Sequence, residues 1–410
     1  MSNPKARIII IGANFAGLAA AKRIESEAEV ILIDPNPNFE FTPNIHELIA
    51  DEKSPADLQL DREHVISALG HTWVQDRVTS IDKAKKHIEL ESGESLAYDA
   101  CIITTGGVSN YRGVKGVEEH AIPFKSVDEV HKIRERIVDL NERGKEYSIV
   151  VAGGGSVGVE ALGELLRYRE EDTVINIELV EAQDRLLPGF SPKVSKEVLR
   201  LCKDQNVTFH FGNRIEEVQA KTVKLSDGRS LNSDLCIWTG GVKPNPLLFE
   251  AGLSDSENSW AAVKPSLQSV NDEHIFVAGD AADLGSMDSK QAFFAMESGE
   301  KAAENVLRFL NGRALRTFFK IPRPYLYSFG DLTCFLIFHD LVIAGAPLLL
   351  LKESIFRITI EGIRAGNSCQ SILKLVDKLF PKYLKDAATN FKSFVSNPLK
   401  FLTKPPVVIL

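Results

Sequence analysis

Two glycine turns hold most of the chemistry this sequence can do. Gly12, Ala13, Asn14, Phe15, Ala16 and Gly17 follow the apolar run from Ile8 to Ile11, and Gly153, Gly154, Gly155, Ser156, Val157 and Gly158 follow the run from Ile149 to Ala152. A strand that passes through such a turn into a helix aims backbone N–H groups and the positive helix end at a pyrophosphate. Glycine serves where the chain bends tightly or phosphate must come close. Each time, the next apolar strand ends in an acid: Asp34 after Val30 to Ile33, and Glu181 after Ile177 to Val180. A carboxylate at that place accepts a ribose 2′-hydroxyl, so two dinucleotides are expected. Glu181 would also repel a 2′-phosphate, and Ala182, Gln183 and Asp184 bring no positive charge, which favours a dinucleotide with a free 2′-hydroxyl.

The duplication continues into the elements that must carry these turns. Gly93 to Ile102 matches Gly228 to Ile237 without a gap, and Thr105-Gly106-Gly107-Val108 answers Thr239-Gly240-Gly241-Val242. The chain has 410 residues, enough for two or three domains, and its 44% hydrophobic and 25% charged residues are ordinary for a soluble globular protein. A net charge of −8 argues against a nucleic-acid partner. The first apolar run is only a strand long and enters the glycine turn directly, so no signal peptide is expected, and Ser2 excludes N-myristoylation. The cytoplasm is the expected compartment. Cys101, Cys202, Cys236, Cys334 and Cys369 form no CxxC or CxxxxC, so neither a sequence-local redox disulfide nor a metal site is expected. Cys101 and Cys236 fall mid-strand at equivalent repeat positions and read as small buried hydrophobes.

Read coarsely, a βαβ unit runs to Asp34, and residues 35–43, rich in proline and asparagine, read as a loop without regular structure. Strands fill about 73–96, and Val127, Val130, Ile133, Ile137 and Leu140 predict a helix leading to the second unit. A later strand ends in Gly279-Asp280 and is followed by a helix over about 289–310. The simplest arrangement inserts one unit in the other. It is an α/β fold with two Rossmann-like dinucleotide-binding domains, the first from 1–115 and 242–320, the second from 116–241, plus a C-terminal α+β and amphipathic-helix region over 321–410.

This order of motifs, with Thr104-Thr105-Gly106-Gly107, the second turn continuing as Glu160-Ala161-Leu162-Gly163-Glu164-Leu165, and Val277-Ala278-Gly279-Asp280, resembles the two-dinucleotide flavoproteins. Within them it is most similar to type II NADH dehydrogenases and AIF-like NAD(P)H:quinone reductases, over roughly residues 7–365. The resemblance implies FAD in the first unit and NADH in the second. Gly12, Asn14, Phe15, Ala16, Gly17 and Asp34 would hold the ADP part of FAD, the backbone near Val78 its adenine, and Asp280 its ribityl chain, with Thr105 and Gly106 also on the flavin. Gly153, Gly155, Gly158, Glu181, Gly240 and Gly241 would hold NADH. Asn14 stands where the family has its second glycine, and the tolerance of Asn for a left-handed backbone is what would keep binding feasible. Glu160, by its position a helix-dipole carboxylate in the first turn of the second helix, matches the family acid that manages protons beside nicotinamide and flavin during quinone reduction.

The acceptor is less plainly written. The family's AQxAxQxG helix reads Ala292-Phe293-Phe294-Ala295-Met296-Glu297-Ser298-Gly299, keeping the small residues and losing both glutamines. Residues 332–351 are apolar but interrupted at His339-Asp340, which predicts a hairpin and a short buried segment rather than a span. Lys352 matches a C-terminal lysine of the family and is a quinone-site candidate; on its own it reads as a snorkelling surface lysine. Residues 371–404 carry seven lysines against Asp377 and Asp386, with Ile372, Leu375, Val376, Leu379 and Phe380, then Leu384, Ala388, Phe391 and Val395, at helical spacing. Such a segment reads as an interfacial anchor for anionic lipid, the alternatives being a helical hairpin packed on the flavin unit or a homodimer contact. The expectation is a cytoplasmic flavoenzyme held peripherally on the inner face of a membrane, passing electrons from NADH through FAD to a quinone. A soluble reductase of a ferredoxin or rubredoxin, or an AIF-like NADH-sensing flavoprotein, is the alternative.

Overall fold

In the first parallel sheet, Arg7–Ile11 lies at the centre, between Glu29–Ile33 and Ala100–Ile103, with Thr72–Val74 and Ile275–Val277 at the edges. Ile8, Ile9 and Ile10 are wholly buried, as a strand covered on both faces requires. The second sheet repeats the plan in the order Ala121–Pro123, Leu235–Trp238, Glu146–Ala152, Val174–Glu181, Val207–Phe211. Both belong to a computed structural model that describes residues 5–144, 146–168, 173–285, 290–319, 322–368, 370–376, 378 and 408–409.

The sequence repeat is also a repeat of hydrogen bonds. Asp99 and Asp234, at matched positions, each receive a backbone N–H from matched residues of a central strand, from Arg7 at 2.7 Å and from Ser148 at 3.0 Å. Each aspartate lies after a three-stranded antiparallel sheet, formed by Val78–Asp82, His87–Leu90 and Ser95–Ala97 in the first unit and by Ile215–Val218, Thr222–Leu225 and Ser230–Asn232 in the second. Gly107–Ser109 then pairs antiparallel with Val242–Pro244, which brings the ends of the two repeats side by side.

The helix Val127–Arg143 forms where the apolar spacing placed it, the five residues of that spacing buried and its start fixed by a capping box between Ser126 and Glu129. Residues 35–43 differ from expectation. Asn38–Glu40 pairs with Gln59–Asp61, and Thr42–Leu48 is a 3-10 helix. Phe39, fully buried, anchors the first, while Pro43 is tolerated in the opening turn of the second, where no N–H is needed. The C-terminal hairpin turns at His339-Asp340 as predicted, joining Thr333–Phe338 to Leu341–Ala344; Tyr325–Phe329 and Val408–Ile409 flank it, and helix Leu348–Arg364 follows. Residues 370–376 are helical with Ile372 and Val376 buried, so this start of the lysine-rich segment packs on the protein, whereas Leu375 is exposed. Leu379, Phe380, Leu384, Ala388, Phe391 and Val395, like Cys369, lie outside the described residues.

Candidate active site

The two glycine turns match atom for atom. The N–H of Gly12 donates to Ile33 and that of Gly153 to Val180, both at 2.8 Å. Asp34 accepts from the N–H groups of Ala13 (2.8 Å) and Asn36 (3.0 Å); Glu181 accepts from Gly154 (2.7 Å) and Gln183 (2.8 Å). The acids are thus held at the turns by two backbone bonds each, with lone pairs left for ribose hydroxyls. Gly12 and Gly153 have positive φ and no room for a Cβ, which would lie 2.6 Å from the Thr104 carbonyl oxygen and 2.9 Å from that of Thr239. Gly17 and Gly158 let each helix press on its own turn, a Cβ there coming within 2.0 and 1.9 Å of the Gly12 and Gly153 oxygens. Gly155, by contrast, faces open space at the start of helix Ser156–Arg167.

Sequence reasoning missed Thr104 and Thr239. Their hydroxyls lie within hydrogen-bond reach of the last strand carbonyl and the first turn carbonyl, Ile11 and Gly12 at 3.0 and 2.7 Å for Thr104, Ala152 and Gly153 at 2.8 and 3.1 Å for Thr239. They also correct the register of the repeat: the ungapped match of Ile102 with Ile237, carried on, pairs Thr104 rather than Thr105 with Thr239. Thr105, chosen from the sequence, has a buried hydroxyl oxygen without a protein partner, next to Gly12. An orphaned polar atom beside such a glycine turn fits a bound dinucleotide.

Asn14 corrects an expectation. Its backbone is extended (φ −98°, ψ −150°), so no left-handed conformation is required, and its amide pairs with both backbone groups of Glu40 at 3.2 Å. Phe15 is buried edge-on against Phe39 and Phe41, and Ala16 is buried too, so both offer the turn only their backbone. Buried Arg62, in no motif, pairs with Asp34 and with the Asn36 carbonyl. Val78 is buried in register with Leu90, while Asp280 lies in the short 3-10 helix Gly279–Ala281, packed on Ala16. Gly106 and Gly241 both have positive φ, and the Gly240 carbonyl accepts from Arg112 at 2.7 Å. Arg185, just beyond Glu181, spends its guanidinium on the carbonyls of Leu187, Pro188 and Phe190.

Glu160 and Lys352 come together. Glu160 is the fifth residue of its helix, past the first turn where the sequence placed it, and its Oε1 lies 3.7 Å from Lys352 Nζ and 3.8 Å from His46 Nε2. Lys352 is only 8% exposed, not a snorkelling surface lysine: the helix Leu348–Arg364 turns it inward against the 3-10 helix Thr42–Leu48 and the strand Tyr325–Phe329. Its Nζ contacts His46 Nε2 and Ser328 Oγ at 2.6 Å and donates to Glu47 Oε1 at 3.3 Å. Burial pushes the Glu160 carboxyl up to about 7, opposed by Lys352 and reinforced by Glu47. Burial lowers Lys352, but Glu160 and Glu47 outweigh it and hold the ammonium above its ordinary value. Glu164, one turn on, is pushed by burial up to about 8, and Cys334 to about 12. Cys101 and Cys236 are buried and unpaired, as read from the sequence. Among the described residues no group of His, Cys, Asp and Glu could hold a metal.

Two matched glycine turns, each with its acid, and a buried carboxyl on the helix after the second have the form of an oxidoreductase with two dinucleotides. Residues 6–302 match the pyridine nucleotide-disulphide oxidoreductase family, and the chain belongs to it. It is accordingly an FAD-dependent enzyme using a pyridine nucleotide. Among curated proteins it is similar to type II NADH:quinone oxidoreductases of Staphylococcus aureus, 26% identical over 87% of this chain and 95% of the relative, and of Staphylococcus epidermidis, 27% identical with the same coverage. Among solved structures, NDH2 from Plasmodium falciparum in complex with NADH matches with TM-score 0.78 at 17% identity, covering 88% of this chain and 96% of the other. The sulfide:quinone oxidoreductase of Aquifex aeolicus matches with TM-score 0.77 at 15% identity, covering 99% and 97%. At these identities the two structures speak for the fold.

Proposed function

We propose that this chain is a type II NADH:quinone oxidoreductase, in which the first turn holds FAD, the second holds NADH and the acceptor is a quinone. The observation that carries the acceptor is the Glu160–Lys352 pair. A quinone takes up two protons with its two electrons, and this buried pair, reached from the second nucleotide helix, combines a carboxyl near 7 with an ammonium. The relatives' names support the same reading.

FAD, when bound, accepts a hydride from NADH and passes two electrons on. Gly12, Gly17 and the start of the first helix would cradle its pyrophosphate, Asp34 its ribose, Thr105 and Gly106 the space beside it, Asp280 its ribityl chain and the backbone at Val78 its adenine. Gly153, Gly155 and Gly158 would do the same for NADH, Glu181 choosing the 2′-hydroxyl and Gly240 and Gly241 flanking the nicotinamide end. Glu160, half-protonated near neutrality, can release and regain a proton, and Lys352 presents an N–H to the acceptor oxygen. Residues 1–115 and 242–320 are proposed as the FAD domain and 116–241 as the NADH domain, supported by the strand Ile275–Val277 lying beside Ala100–Ile103.

Among the described residues no helix is long and apolar enough to cross a membrane. The lysine-rich tail, net +5 over residues 371–404 on a chain otherwise at −13, supports a peripheral place on the anionic inner face. The test is to purify the protein, identify its flavin, and compare NADH oxidation with a quinone, a ferredoxin and sulfide, with and without liposomes. Quinone-dependent turnover that liposomes stimulate is expected; ferredoxin-dependent turnover without it would overturn the proposal.

A further inference from the structure

His46 belongs to no motif, yet it makes one of the two shortest contacts of the Lys352 ammonium. The lysine has three N–H donors and no acceptor, and three groups face it within hydrogen-bond reach: His46 Nε2 and Ser328 Oγ at 2.6 Å and Glu47 Oε1 at 3.3 Å. Glu160 stands just outside at 3.7 Å. A contact of 2.6 Å between two nitrogens holds one proton. It belongs to the lysine, whose ordinary pKa is about 10.4 against about 6.5 for imidazole. His46 is almost wholly buried, and burial, then Lys352 and Lys53, push it well below its ordinary value.

We propose that His46 is a positioning residue for Lys352: as the neutral Nδ1–H tautomer it accepts one lysine N–H at Nε2 and, with Ser328 and Glu47, holds the ammonium beside the Glu160 carboxyl instead of in contact with it. This rests on the reading of Glu160 and Lys352 as the acceptor-side proton pair. Two consequences follow from the geometry. At 3.7 Å Lys352 attracts the Glu160 carboxylate without the short contact that would fix it in place. The lysine, with each N–H already served, meets an incoming quinone oxygen by exchanging a partner, and a neutral imidazole is easier to leave than a carboxylate.

The charged and titratable groups facing Lys352 are Glu47 from the 3-10 helix, Glu160 and Glu164 from the second nucleotide helix, and Cys334 from the strand Thr333–Phe338. Behind Glu47 stands Lys53, paired in turn with Glu353. His46 is neutral, so its replacement alters the solvation of the lysine without changing the charge of the cluster.

His46→Leu removes the acceptor, and His46→Gln supplies an amide oxygen instead. With quinone-dependent kcat expressed relative to each variant's own rate of flavin bleaching by NADH, the alkaline limb of the Leu chain is expected about one pH unit below that of the unmodified chain. The Gln chain is expected to recover the limb. Equal losses in both variants with an unmoved limb would overturn the proposal. A second measurement needs no turnover. Histidine side-chain 15N spectra of the full protein, with the His46 signal assigned by its loss in His46→Gln, should show an unprotonated Nε2 from pH 6 to 9. An imidazolium or an Nε2–H pattern overturns the proposal, and this holds even if the chain reduces no quinone.

Discussion

Glu160→Gln tests the buried cluster through stability and turnover together. A carboxyl carried from 4.5 in the unfolded chain to about 7 in the fold is destabilised, when ionised, by about 3 kcal/mol at about 1.4 kcal/mol per pH unit. The sign follows from proton binding. Between these values the folded state holds the proton that the unfolded state has lost, so the protein is most stable below the lower value and loses stability as pH rises through the upper one. About 2 kcal/mol of the loss falls between pH 5.5 and pH 8.5. Gln cannot ionise, so the variant should lack this slope. Urea unfolding at the two pH values, followed for both chains, reads it as a difference of differences. Quinone-dependent turnover should meanwhile fall on the order of 100-fold, the usual contribution of a positioned proton donor. The variant would then lose activity and gain relative stability at pH 8.5, as expected where strain is kept for function. A pH-independent offset between the two chains would refute the reasoning, for it would mean that Lys352 and the Ser328 backbone N–H stabilise the carboxylate as fully as water does.

Three further outcomes are expected. Asp34→Ala strands buried Arg62 and frees the Ala13 N–H, so thermal unfolding should show a loss of about 3 kcal/mol and gel filtration should separate the flavin from the protein. Glu181→Ala, which deletes an acceptor held by two backbone N–H groups, should lower the ratio of kcat/KM for NADH over NADPH by at least about tenfold, at about 1.5 kcal/mol for a hydrogen bond to a charged group; an unchanged ratio removes the assignment. Changing Lys382, Lys385, Lys392, Lys400 and Lys404 together to Gln should abolish cosedimentation with anionic vesicles, at about 1 kcal/mol per lysine, and leave the buried Ile372 and Val376 untouched.

The readable half of the site is the local half. A glycine turn and the acid after the next strand are fixed by a single βαβ unit, so Gly12 with Asp34 and Gly153 with Glu181 could be found by spacing alone. Residues 35–43 were misread because proline and asparagine signal turns only until a buried neighbour intervenes; Phe39 is such an anchor and draws its strand onto Gln59–Asp61. Lys352 was visible, but a lysine after four apolar residues looks the same whether it snorkels or is buried. Only partners decide, and they lie 306 positions away at His46 and 24 away at Ser328. Arg62 and His46 carry no local pattern because their function is a contact, and contacts at such separations leave no period in one sequence.

What makes those distant contacts dependable is a pair of glycines. Helix Ser156–Arg167 begins at the open turn of Gly155, carries Glu160 in its second turn, and meets the C-terminal hairpin at Gly163. A Cβ on Gly163 would lie 2.4 Å from the Gly330 nitrogen and 2.6 Å from the Phe329 carbonyl carbon, so backbone rests on backbone with nothing flexible between. The same strand supplies Ser328, one contact of Lys352, and Tyr327, which bonds Ser156 at the head of the helix. A single rigid helix therefore sets the distance from the second nucleotide turn to Glu160 and, through Gly163, the distance from Glu160 to the residues around Lys352. The proton cluster is indexed to the nucleotide turn rather than to the surface. On the proposed function, that is how one acid on the helix after the second glycine turn, whose first reading was a dipole partner, serves an acceptor whose other residues come from the far end of the chain.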